Sequence, residues 1–108
     1  MQPSEKIYHV SVAPAANDRM SEHFEFLAHV SENAANRLLD ELLRDIRFLK
    51  KFPQRNPVYE RPYLPRGKYR YKFSCERYRI VYQIDGDFVF VDDIEDCRQD
   101  DDKSILKP

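Results

Sequence analysis

The chain has no apolar run long enough to cross a bilayer, which argues against a transmembrane helix. Its first six residues lack the apolar stretch of a secretory leader, so a cytoplasmic protein is expected. Cysteine is scarce. Cys75 and Cys97 have neither metal-ligand nor redox-motif spacing, so reduced thiols are the simplest expectation in a cytosolic chain. Internal repeats and a second domain are also missing. At 108 residues the sequence fits one domain (1–108), with an ordered core over about 7–98 and an acidic tail at 99–108. Nothing in it calls for a cofactor.

Net charge is −1, yet its distribution is uneven. From Arg44 to Arg79 twelve basic residues face three acidic ones, a balance of +9. From Asp85 to Lys103 nine acids stand against Arg98 and Lys103, a balance of −7. Such asymmetry suits a surface facing nucleic acid or an acidic partner, beside a segment able to mask it. Two solvated faces explain the same charges.

The periodicity predicts the order β-α-α-β-β-β. A first strand is expected over Lys6–Ala13, and Pro14 is well placed as the first residue of a helix reaching about Val30. Ser31 offers an N-cap to a second helix, Glu32 to about Lys51, whose stripe is Ala35, Leu38, Leu39, Leu42, Leu43, Ile46 and Leu49. Phe52-Pro53 closes it. The prolines at 53, 57, 62 and 65 predict an extended connection without regular structure.

Lys68 to Ile94 reads as an antiparallel meander. Asp85-Gly86 between alternating β-rich runs is a strong hairpin signal. As a two-residue loop it pairs Tyr82 with Val89, Ile80 with Val91, and Arg79 with Asp92. A second two-residue turn at Cys75-Glu76 pairs Tyr71 with Ile80 and Lys72 with Arg79, and the extended register sets Cys97 close enough to Cys75 for a bridge to be conceivable. Side chains alternate across a strand. Tyr69, Tyr71, Phe73, Tyr78, Ile80, Tyr82, Ile84, Val89 and Val91 then form a core face. Lys68, Arg70, Lys72, Arg77, Arg79, Val81, Gln83, Phe88, Phe90 and Asp92 form a basic face with an apolar centre. The leucine stripe must cover the first face, giving an α+β fold: a helical hairpin packed on one face of a small, largely antiparallel sheet. Val81, Phe88 and Phe90 would be left exposed, as at a partner site.

Ala13-Pro14-Ala15, the stretch Leu42–Pro53, the segment Tyr78–Asp87 and an arginine just past the last strand occur in the order and spacing of a known superfamily. From about Ile7 to Asp100 the chain resembles the RelE/ParE toxins of bacterial type II toxin–antitoxin systems. The resemblance implies a growth inhibitor neutralised by a cognate antitoxin, with DNA gyrase or ribosome-bound mRNA as target. In the nuclease branch, arginines matching Arg79 and Arg98 contact the scissile phosphate without a metal. Arg70 could add charge there, and Lys68 or Lys72 could move a proton. The register sets Arg98 on the side of Arg79, whereas His9, His23 and His29 are expected away from that face. The nuclease pattern also places a tyrosine or histidine near the end, where this chain has Gln99-Asp100-Asp101-Asp102. The long second helix ending in Phe-Pro is more similar to the ParE branch, so the resemblance implies a binding toxin slightly ahead of a metal-independent endoribonuclease. A degenerate member that only binds antitoxin is the third alternative. Each arginine has a plainer role open to it as well: Arg79 as a cross-strand partner, Arg98 as a solvated residue, and Lys68, Arg70 and Lys72 as solubilising charges on an outer strand.

Overall fold

The computed structural model describes residues 6–98. Strand β1 (His9–Val12) leads into α1 (Pro14–Ala28), with proline at the first helical turn. Helix α2 (Glu32–Phe48) follows after three residues, and the Ser31 hydroxyl caps it by accepting from the Ala34 N–H at 3.1 Å. A 3-10 turn (Pro53–Arg55) and a two-residue strand β2 (Val58–Tyr59) come next. The proline-rich connection therefore holds regular structure that its composition did not suggest. Strands β3 (Tyr69–Ser74), β4 (Tyr78–Asp85) and β5 (Phe88–Asp96) complete a sheet ordered β1-β5-β4-β3-β2. Only β1 and β5 run parallel; the other pairs are antiparallel. No helix among the described residues is long and apolar enough to cross a membrane. The acidic tail expected at 99–108 lies outside the described residues.

Most of the leucine stripe packs as the periodicity requires, while Leu43 is left exposed and Leu39 partly so. Ala16 and Met20 of α1, with Leu38, Leu42 and Ile46 of α2 and Leu49 just beyond it, close over Tyr78, Ile80, Tyr82, Val89, Val91 and Ile94. Tyr82 also ties the sheet to the end of α2: its hydroxyl donates to the Pro53 carbonyl at 2.6 Å and accepts from Asn56 at 2.9 Å.

Three local details move side chains away from their expected places. The first hairpin loop is Gly86-Asp87, because Asp85 pairs with Phe88. Gly86 leads it at φ 59, the glycine-first arrangement of type II′ loops. That slides the register two residues, so Tyr82 meets Val91, and faces near the turn are unchanged. Second, the β3–β4 loop has three residues, Cys75 to Arg77, since Ser74 pairs with Tyr78. Cys75 and Glu76 both take left-handed φ (53 and 66) to close it. One extra residue turns β3 over. Tyr69, Tyr71 and Phe73 share the face of Gln83, Val81 and Arg79, while Arg70, Lys72 and Ser74 turn toward the helical side. Third, Asp92 is an extra residue in β5: Tyr82 pairs with Val91 but Val81 pairs with Asp93. Beyond this bulge Ile80 faces Ile94, and Arg79 faces Glu95 rather than Asp92.

Candidate functional site

The face expected to be basic and open is a second core. Val81 is fully buried beneath Tyr59 and Tyr69, with Tyr71 and Leu64 packed alongside. The connection before β3 therefore covers the sheet surface that was assigned to a partner. Arg79 lies within this layer, its guanidinium 3.2 Å from Glu95 and over the rings of Tyr59 (5.8 Å) and Tyr71 (6.0 Å). The Tyr59 hydroxyl donates to the other Glu95 oxygen at 2.6 Å, and burial with that carboxylate pushes its pKa far up. Of the apolar residues proposed for this face, Phe88 is exposed and Phe90 half-buried, their rings stacked 5.7 Å apart, with His9 against Phe88.

An open cleft of about 510 Å³ lies on the opposite side of the sheet, between α1 and the ends of β4 and β5. Its inner wall comes from the buried turn of α1. Arg19 pairs with the fully buried Asp93 at 3.2 Å, and His23 Nε2 bonds the Ile94 carbonyl at 2.8 Å. A carbonyl can only accept, so Nε2 carries the proton. Burial pushes the His23 pKa down, and the nearby Arg19 adds to the effect. The facing wall is Arg77, Tyr78, Asp96 and Arg98, with Glu22 and the exposed Phe26 completing the lining. Asp96 accepts from Arg77 Nη2 at 2.9 Å and from the Arg98 backbone N–H at 2.9 Å. Burial opposes its ionisation, but these bonds and the two guanidinium groups prevail and hold its carboxyl below the usual range.

The expected arginines are not brought together. Arg79 sits in the tyrosine layer. Arg98 sits in the α1 cleft, because the Asp92 bulge shifts the parity of β5, so that Glu95 shares the face of Arg79 while Asp96 and Arg98 fall to the helical side. Arg70 reaches a third place, donating to the Asn56 carbonyl at 2.6 Å. Lys68 lies over the Tyr69 ring at 5.5 Å, and Lys72 lines a separate cleft at the end of α2. His23 lies away from the basic face, as expected, but Arg98 leaves that face and lines the same cleft as His23. The i, i+4 spacing of Arg19 and His23 on one face of α1 is the sequence signal for this cleft. Cys75 and Cys97 are both free thiols; burial, followed by Glu41, pushes Cys75 up to about 11. In that state it is a poor nucleophile at neutral pH.

Chemically, the α1 cleft offers an apolar rim and two arginines sharing one carboxylate. That combination suits a carboxylate-bearing partner better than a reacting centre, since Arg77 is already engaged and His23 is buried.

Residues 10–101 match the family described as ParE toxin of type II toxin-antitoxin system, parDE. The chain belongs to this family. Among solved structures, the ParE-family chain is similar to one described as the chromosomal ParDE TA system from P. aeruginosa. The TM-score is 0.68 at 8% identity, over 83% of this chain and 96% of that one. At that identity the likeness speaks to the fold, and the fold is that of a RelE/ParE superfamily toxin. A comparison with curated protein sequences finds no match.

Proposed function

We propose that this ParE-family protein inhibits growth by binding a target, with DNA gyrase as that target, and that a cognate antitoxin neutralises it. The observation supporting binding over cleavage is the separation of Arg79 from Arg98. Cleavage by 2′-OH attack needs a cation at the developing phosphorane and groups to move two protons, all within reach of one phosphate. Arg79 is held by Glu95 and two tyrosines on one face, and Arg98 lies on the other. Phe88 and Phe90 serve the antitoxin, with Lys68 at the sheet's far margin a lesser contact.

One feature favours the alternative: Arg98, Arg77 and His23 share a cleft, so a ribosome-dependent nuclease would work there without Arg79. The two readings part experimentally. Adding the purified protein to gyrase should abolish supercoiling, and a translating extract should show no codon-phased cuts in the ribosomal A site. A-site cuts lost in Arg98→Ala but kept in Arg79→Ala would overturn the binding reading.

A further inference from the structure

A second cleft, about 320 Å³, opens where α2 ends, and its chemistry is unlike the first. Among the described residues it is lined by Phe48, Leu49, Lys51, Phe52, Arg55, Asn56 and Lys72, with Arg55 and Lys72 as the cations available to a ligand. Asp45, the nearest acid in sequence, is turned to the Ser74 hydroxyl at 2.6 Å. Two large rings stand at the rim, Phe48 at 58% and Phe52 at 49% exposure. Arg44 and Arg47 extend the positive surface along the exposed side of α2, where residues three and four apart from Phe48 and Lys51 are neighbours.

Phe52 stands in a strained turn at the mouth of this cleft. Its backbone is left-handed (φ 50, ψ 50), a conformation that bulky side chains rarely adopt and that helix ends normally give to glycine. The turn seats the buried Pro53, whose carbonyl accepts from Tyr82, and leaves half of the Phe52 ring in solvent. It also holds an aromatic face beside Arg55, whose guanidinium lies 5.0 Å from the ring centroid. The negative end of the α2 dipole opposes an anion here by about half a charge, and Arg55 with Lys72 outweighs it. The last turn also engages its own carbonyls: Leu49, Lys50 and Lys51 donate to Ile46, Arg47 and Phe48.

We propose that this cleft binds single-stranded nucleic acid, with phosphates held by Arg55 and Lys72 and a base stacked on Phe52 or Phe48. An acidic peptide would satisfy the cations but leave the two displayed rings without a purpose. Single strands supply both an anionic backbone and a flat apolar face at every residue. The inference is independent of the protein target and of the α1 cleft.

The test uses the full-length protein and fluorescence anisotropy with oligothymidylate, oligouridylate, inorganic polyphosphate and polyglutamate. Both oligonucleotides should bind, and affinity should fall roughly tenfold between about 50 and about 200 mM salt, as about two phosphate contacts require. A preference between the two separates DNA from RNA as the source. Arg55→Gln with Lys72→Gln should weaken oligonucleotides and polyphosphate alike. Phe52→Gly suits the left-handed backbone, so it removes the ring while keeping the fold, as an unchanged melting temperature would verify. It should weaken oligonucleotides by about tenfold and leave polyphosphate unaffected. Phe48→Ala, on an exposed helical face, tests the other ring in the same way. Unchanged oligonucleotide binding in both ring variants overturns the proposal, as does polyglutamate binding of equal strength.

Discussion

Val81→Ala tests whether the sheet is covered on both faces. Val81 and Ile80 are adjacent, point to opposite sides of β4 and are both fully buried. Truncating Val81 removes two carbons, about 1.6 kcal/mol of transfer free energy at roughly 0.8 kcal/mol each. The cavity left among Tyr59, Tyr69 and Leu64 raises the expected loss to about 2–3 kcal/mol. Ile80→Ala removes three carbons from the larger core and should cost about 3–4 kcal/mol by the same reasoning. The chain has no tryptophan, so urea unfolding is best followed by tyrosine fluorescence alongside circular dichroism. The denaturant slope should stay the same while the midpoint moves. Leu64→Ala provides the control: it packs on Val81's cluster, so the double variant should depart from additivity. A loss at Val81 below about 0.5 kcal/mol, the size of a surface change, would refute the second core, and the sheet face would then be open to a partner.

Gly86→Val should destabilise the protein by about 1–2 kcal/mol through the backbone alone, because nothing lies within 4 Å of the position a Cβ would take; Gly86→Ala measured beside it separates branching from the left-handed φ. His23 should make stability pH-dependent. Its folded pKa lies below the unfolded value of about 6.5, so its contribution is complete above that pH and is lost as pH falls through the folded pKa. His23→Gln should remove that part of the slope in urea titrations taken at successive pH values, and an unchanged slope would mean another group sets it.

Much of the fold could be read from residues that impose geometry locally. Pro14 and Ser31 start the helices, the leucine stripe orients them, and the Asp-Gly segment marks the hairpin. The site could not be read in the same way, because faces depend on parity and parity depends on single residues. Cys75 and Glu76 adopt left-handed conformations that neither residue type signals, and the three-residue loop they allow inverts β3. Asp92 bulges without a glycine to announce it. The two-residue slip at Gly86 did no such harm, since an even shift keeps every side chain on its face.

The opposed charge blocks also acquire a different meaning in three dimensions. Read along the chain, the acidic segment seemed able to mask a basic surface. In the fold it supplies partners from within the sheet. Asp92 bonds Gln83, Asp93 pairs with Arg19, Glu95 with Arg79 and Tyr59, and Asp96 with Arg77 and Arg98. Carboxylates as buried as Asp93, Glu95 and Asp96 must be paired to be tolerated, so removing one of their arginines leaves a buried charge less fully compensated. Much of the segment's negative charge is thus committed internally. Within the basic block this strand's carboxylates engage Arg77 and Arg79, whereas the ion pairs of the strand do not include, among the described residues, the cations of α2, of the connection after it or of β3. The surface positive charge therefore collects at the end of α2, where Phe48 and Phe52 are displayed, rather than on the sheet face where alternation alone had placed it.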